Sequence, residues 1–338
     1  MQSRRINVFF GACLLLLIGS VLIVASCSGK QQNTRRTNSE DTTDTLEVTY
    51  ARDTSEIPTD EFGKQVRYGR ALILQTAYYI GPEGKAGKYL GNKMNCTNCH
   101  LDAGTRPYGL NFLSTHGRYP QFRPRENRIL SLAERVNNCI ERPHNGKALP
   151  LDSPEMLAII SYIKWLGEGV PVNSHVRGDK SIAISLPDYP LDVKHGKQVY
   201  QQECARCHGE DGQGKFTADG STYEYPPVWG MQSYQPGSSL FRIIKAAQFI
   251  KANMPHDQAT WRKMKLTDRE ALDVAAYINS EEHIRPPKRG TDYPDVGKKP
   301  IDYPFGPYND TFSEHQHKFG PYKPILEYRQ KKGLFVNY

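Results

Sequence analysis

The chain has 338 residues, 44 lysines and arginines against 36 acids, a formal net charge of +8 and seven cysteines. Residues 1–26 hold two of the arginines and no acid, so without them the charge is +6 over a body long enough for two domains of ordinary size. That excess is too slight to argue for a nucleic-acid partner, and none is expected.

In chain order, Arg4 and Arg5 precede an apolar run from Val8 to Ala25 that closes in Val24-Ala25-Ser26-Cys27. A charged start, an apolar middle and a small-residue stop read as an export signal over residues 1–26. The last four residues resemble a bacterial lipobox, which implies cleavage before Cys27 and a lipid anchor on its thiol. An uncleaved helical anchor is the alternative, since the run is nearly long enough to span a bilayer. Either reading exports the rest of the chain to the periplasmic side of a membrane. Cys13 lies inside the apolar run as a passenger. Residues 27–45 are too polar to bury anything and are expected to form a tether.

A first body is expected over residues 46–167. Gly63-Lys64-Gln65-Val66 opens a helical stretch, a Gly-rich loop runs from Gly81 to Gly91, and then comes Cys96-Thr97-Asn98-Cys99-His100. In such a CxxCH motif two thiols can form thioethers with haem vinyl groups, and the next residue offers an imidazole to the iron from the same face. A zinc site would bring its ligand pairs together within roughly 20 residues, and a disulfide would leave the histidine unexplained. Ile129, Leu132, Val136 and Ile140 give the segment from Pro124 to Glu141 helical spacing, with Cys139 at the edge of the stripe. Ser153 as N-cap and Pro154 at the first position open a closing amphipathic helix.

What faces the first iron from its far side is less plain. Met94 precedes the motif and Met156 belongs to the closing helix, so Cys139 is the candidate, with His116 and His144 as rivals. A lone buried cysteine is more often a small hydrophobe, but here a missing ligand competes for it. Arg118, Arg123, Arg125, Arg128, Arg135 and Arg142 crowd the same stretch. On one helix Arg135 would lie one turn and Arg128 three turns from Cys139, with Arg125 about 40° away. Guanidinium groups match small oxyanions with paired hydrogen bonds. Some of the six are expected on haem propionates; the others argue for an anionic substrate, and a sulfur oxyanion would suit a thiolate among arginines.

Residues 168–190, rich in Gly, Pro and Ser, read as a linker. The second body, 191–285, repeats the plan with Gly196-Lys197-Gln198-Val199, then Cys204-Ala205-Arg206-Cys207-His208, then a closing helix with Thr267 and Glu270 as a capping box. Tyr162-Ile163 and Tyr277-Ile278 fall at like places. Met254 is the candidate opposite His208, with Met231 and Met264 in reserve; a thioether raises the reduction potential, whereas a thiolate lowers it. The repeat predicts an all-α protein: two cytochrome c-type haem domains joined by a linker and carrying two covalently bound haem c groups. Residues 286–338, dense in proline and tyrosine, are expected to be an irregular C-terminal extension, either a strap over the body or a docking arm.

Three stretches carry a family resemblance: CTNCHLDAG (96–104), ERVNNCIERPHNG (134–146) with LPLDSPEM (149–156), and FIKANMP (249–255). They are similar to the thiosulfate dehydrogenases, periplasmic dihaem cytochromes that couple thiosulfate into tetrathionate. The resemblance covers residues 60–285 in outline. It implies His100 and Cys139 on haem one, His208 and Met254 on haem two, and a substrate pocket at haem one beside Arg125 and Arg135. It also implies a small periplasmic electron acceptor or membrane redox complex as partner, and a site that can run in reverse as a tetrathionate reductase. Cys139 could further take up a sulfur fragment covalently. Some members carry a lysine directly before the haem-two methionine and exchange ligands on reduction; this chain has Asn253 there, so Met254 is expected in both redox states, although Lys251 is near. The alternatives are a dihaem electron carrier without a substrate of its own and a haem subunit of a sulfur-oxidising complex.

Overall fold

The computed structural model describes residues 52–338. The export signal, Cys27 and the tether lie outside the described residues, among which no helix is long and apolar enough to cross a membrane.

Asp60 accepts the Gly63 N–H at 2.8 Å and so starts helix α1, Glu61–Leu74. Helix α2, Thr76–Ile80, follows at once, and the first CxxCH occupies a 3-10 turn, Cys96–Asn98, ahead of the short α3, Leu101–Gly104. An antiparallel hairpin, β1 (Gln121–Arg123) with β2 (Arg128–Leu130), pairs Phe122 with Ile129. Helices α4, Leu132–Glu141, and α5, Pro154–Leu166, come next, the latter capped by Ser153. The second half runs through α6 (Val193–Glu203), α7 (Ala205–His208), the hairpin β3 (Lys215–Phe216) and β4 (Tyr223–Tyr225), α8 (Ile243–Asn253) and α9 (Asp268–Ile278). Thr267 and Glu270 form the capping box of α9.

Two separate cores are buried, and each is organised by one helix crossing. Where α1 meets α5, a Cβ on Gly69 would lie 1.9 Å from the Ala158 carbonyl oxygen and 2.8 Å from Tyr162 Cβ. Where α6 meets α9, a Cβ on Gly196 would lie 1.9 Å from the Asp273 carbonyl oxygen and 3.0 Å from Tyr277 Cβ. Only glycine lets the helix backbones approach so closely. Tyr162 and Tyr277 are therefore equivalent, as their neighbourhoods suggest. The packing counterpart of Gly196 is Gly69, however, not Gly63, which sits instead against Pro58. The shared Gly-Lys-Gln-Val string is out of register with the crossing.

The helix expected from Pro124 to Glu141 is shorter than its apolar spacing suggests. Ser131 and Glu134 cap each other and start α4 at Leu132, while residues 121–130 form the hairpin. Ile129 is 66% exposed and belongs to no buried stripe.

The extension is irregular in its first part apart from a 3-10 turn, Val296–Lys298, but two helices, α10 (Glu314–Phe319) and α11 (Tyr322–Lys331), lie near its end. Ile301, Phe319, Tyr322 and Ile325 are buried in the second core. Asp302 accepts the Ile244 N–H at 3.2 Å at the start of α8 and Arg242 Nε at 2.9 Å, with both side chains buried. Replacing Asp302 with alanine strips a buried guanidinium of its partner and uncaps α8. The expected cost is about 3–5 kcal/mol, read as a lower midpoint in guanidinium unfolding of the haem-loaded protein.

Candidate functional site

His208 closes α7, and its Nδ1 faces the Pro226 carbonyl oxygen at 2.8 Å, which fixes the ring and leaves Nε2 to bind a metal. Cys204, Cys207, His208 and Met254 border one largely apolar cavity of about 480 Å³. Met254 stands at the C-cap of α8. The reserve candidates Met231 and Met264 are 55% and 39% exposed and do not border it. Two thiols, an oriented imidazole and a thioether around an apolar cavity form the donor set of a c-type haem. Asn253 is buried and donates to the Tyr108 and Phe249 carbonyls at 3.0 and 2.9 Å, while Lys251 is ion-paired with Asp268.

The first centre repeats the imidazole geometry. His100 Nδ1 faces the Leu110 carbonyl oxygen at 2.5 Å, and the ring packs on Phe112 with centroids 4.4 Å apart. Cys96, Cys99, His100, Cys139 and His144 border a cavity of about 70 Å³. That is far less room than in the second half, so here the fit to a haem rests on the donor set. Cys139 borders the same cavity as His100, and that imidazole helps to lower its thiol. His144 turns elsewhere, with Nε2 4.0 Å from Cys96 Sγ and Nδ1 3.2 Å from Asn92 Oδ1, and His116 does not border the cavity. Cys139 and His144 both border the cavity of His100, but the ring nitrogens of His144 face Asn92 and Cys96, whereas Cys139 carries the thiol that His100 and Arg135 lower.

Arg135, one turn before Cys139 on α4, donates Nη1 to Sγ at 3.0 Å. Burial pushes the Cys139 thiol up, but Arg135 and His100 together outweigh it and bring the thiol down to about 6. A thiolate at Cys139 is thus built in by its neighbours.

Arg123 ends β1 and Arg125 sits in the turn of the hairpin, and both act electrostatically on Arg135 or are acted on by it. Burial, then the Arg135 and Arg125 charges, loosen the Arg123 proton. The other arginines are occupied. Arg128 is exposed on β2 and pairs with Glu134 at 2.5 Å; Arg142 pairs with Asp292 at 2.9 Å and Glu126 at 3.3 Å; Arg118 donates to the Ser114 carbonyl at 3.2 Å. The placement of Arg125 and Arg128 on the helix of Cys139 therefore fails, because that helix begins after both. The hairpin returns Arg125 to Arg135 by another route and carries Arg128 away.

The two centres share a wall. Met94, Thr97, Asn98, Cys99 and Leu101, from the first half, also border the 480 Å³ cavity of the second. Asn95 Nδ2 donates to Thr222 Oγ1 at 2.9 Å, and Thr222 Oγ1 donates to the Lys93 carbonyl at 2.8 Å. Nothing in the sequence marks Thr222 for this role. Leu110 and Pro226 are equally silent there, because each contributes only a backbone carbonyl.

Residues 86–172 match the SoxA/TsdA cytochrome c domain and residues 193–282 match cytochrome c, so the chain carries two covalently bound c-type haems. A thiosulfate dehydrogenase of Stutzerimonas stutzeri is 36% identical over 233 residues, covering 69% of this chain and 72% of that protein. One from Psychrobacter arcticus is 38% identical over 67% of this chain and 65% of its own length, and one from Allochromatium vinosum is 36% identical over 64% and 79%. The solved thiosulfate dehydrogenase TsdBA of Marichromatium purpuratum, in its as-isolated form, superposes with a TM-score of 0.63 at 31% identity. The match covers 69% of this chain and 49% of that one, so this chain accounts for about half of the larger protein.

Proposed function

The chain belongs to the thiosulfate dehydrogenase family of oxidoreductases, and from that premise we propose that it oxidises two thiosulfates to tetrathionate at the His100–Cys139 centre and delivers the electrons through the His208–Met254 centre. The observation that carries this reading is the Cys139 thiolate held at 3.0 Å by Arg135, with Arg123 and Arg125 close by.

The physical obstacle is repulsion. Even two single charges 4 Å apart oppose each other by about 4 kcal/mol near a protein surface, and thiosulfate is a dianion. The guanidinium groups of Arg125 and Arg135 offset that cost and orient the sulfur ends toward Cys139. Cys139 acts as nucleophile: its thiolate joins the terminal sulfur of one thiosulfate, giving a Cys–S–S–SO₃⁻ adduct and two electrons. A second thiosulfate attacks the middle sulfur, tetrathionate leaves and the thiolate returns, with no proton moved. The attached haems supply one-electron acceptors for the two electrons. Run backwards, the same residues cleave tetrathionate.

Export of the chain, anchoring at Cys27, and haem domains over 46–167 and 191–285 complete the proposal, with a small periplasmic electron carrier or membrane redox complex as acceptor. The test is steady-state turnover of the purified protein with thiosulfate and a one-electron acceptor. One tetrathionate per two thiosulfates and two electrons is expected; acceptor reduction without tetrathionate would point to a plain electron carrier.

The tied-down Lys251 and Asn253 favour Met254 on haem two in both redox states. Successive reductive and oxidative titrations should then superimpose. A haem-two potential that differs between the two sweeps would show ligand exchange.

A further inference from the structure

The extension after residue 285 reaches across to the arginine cluster of the first half, and the contact is built around two consecutive residues. The Tyr293 N–H donates to the Arg125 carbonyl at 2.7 Å, and the Arg125 guanidinium lies over the Tyr293 ring, 5.7 Å from its centroid. Arg125 Nη1 is steadied on its other side by the Gly237 carbonyl at 2.8 Å. Asp292, whose side chain is fully buried, accepts from Arg142 Nη2 at 2.9 Å and from the Tyr303 hydroxyl at 3.1 Å.

Arg125 needs such support. It faces Arg135 and Arg123, and like charges without a bound anion push one another apart. A free arginine in that position would lower its energy by swinging into water. The Tyr293 ring opposes that movement by a cation–π contact, and the buried Asp292 carboxylate by a negative charge near enough to stabilise the Arg125 cation. Tyr293 holds φ 56, in the left-handed region that tyrosine avoids, and is buried while doing so. Strain of this kind persists only where the surroundings fix the conformation. Both residues lie beyond the stretches that match the cytochrome models, which end at residue 282.

We propose that Asp292 and Tyr293 are positioning residues of the substrate site, by which the C-terminal extension holds Arg125 toward Cys139 and Arg135 for a sulfur-oxyanion dianion. The extension completes the pocket; it is not a detached docking arm. This rests on the proposed thiosulfate reading.

The test uses the full haem-loaded chain with Tyr293→Gly, which removes the ring while suiting the positive φ, and with the nearly isosteric Asp292→Asn. Two quantities are measured: KM and kcat for thiosulfate, and the affinity of the oxidised protein for tetrathionate by calorimetry, which needs no turnover. Loss of one ordered charge-assisted contact predicts KM and the tetrathionate Kd raised roughly tenfold or more in Tyr293→Gly, with kcat nearly kept. The Asp292→Asn change is expected to move both in the same direction. Arg125→Ala should reproduce the shift, and adding Tyr293→Gly to it should change little further. Wild-type affinity and KM in both extension variants would overturn the inference, as would a Tyr293→Gly effect that adds in full to that of Arg125→Ala. Failure of the wild-type protein to bind tetrathionate or oxidise thiosulfate would instead sink the functional reading beneath it.

Discussion

Replacing Cys139 with alanine is expected to abolish thiosulfate oxidation, by roughly a thousandfold or more, while both haems stay attached. Alanine is the better choice over glycine because position 139 lies inside α4, where glycine would add a backbone penalty. The thioether cysteines and His100 are untouched, and Ser131 with Glu134 still caps the helix. What disappears is the one thiol that Arg135 and His100 hold low, at about 6. On the proposed mechanism the nucleophile goes with it, together with the thiolate that would donate electron density to the first iron, so the potential of haem one should rise as its turnover vanishes. Full turnover with an unshifted potential would remove Cys139 from both roles at once.

The second large effect is expected at Arg135. Arg135→Gln keeps the length and hydrogen-bonding capacity of the side chain in part but removes its charge. It should lower kcat/KM by about 10²–10³, the usual loss when one preorganised donor to developing charge is removed. The sign of the electrochemical shift is also fixed. A positive charge 3.0 Å from the thiolate disfavours the oxidised, more positive iron, so its removal should lower the haem-one potential, opposite to Cys139→Ala. Arg135→Lys is expected to recover the potential better than the rate, since an ammonium is a point charge without the paired donors that fit an oxyanion. Steady-state kinetics and spectroelectrochemical titration of the two variants check these expectations together.

Much of this site is visible in the sequence because covalent and capping chemistry is local. The CxxCH motifs, Ser153 ahead of Pro154, and Thr267 with Glu270 each state their role within a few residues, whereas Met254 is separated from Met231 and Met264 only by the cavity it borders. The apolar spacing from Ile129 to Ile140 misleads because one of its members, Ile129, fits the helical spacing by chance, whereas Ser131 and Glu134, a capping box in plain view, mark where α4 starts. Misplacing that start sends Arg128 to the wrong side and finds Arg125 for the wrong reason. The Gly-Lys-Gln-Val repeat is a similar case: identity of four letters is weaker than the close approach that Gly69 and Gly196 permit.

Other features depend on contacts that no local pattern encodes. The Leu110 and Pro226 carbonyls orient the two imidazoles through the backbone, which any residue supplies. The extension is poor in helical pattern because its buried residues, from Ile301 to Ile325, are spaced to fit a core made by other segments. Its contact with Arg125 spans well over a hundred residues of chain, beyond the reach of periodicity.

The central claim is that the two haems are unequal, with substrate at the thiolate-ligated one. Electron paramagnetic resonance of the oxidised protein, before and after one anaerobic addition of thiosulfate, tests it most directly. Two low-spin signals of unlike ligation are expected at the start, and the His/Met signal should be lost first because that centre has the higher potential, with half a tetrathionate formed per thiosulfate consumed. Two signals of one ligation type, or a spectrum that thiosulfate leaves unchanged while dithionite reduces both centres, would contradict it.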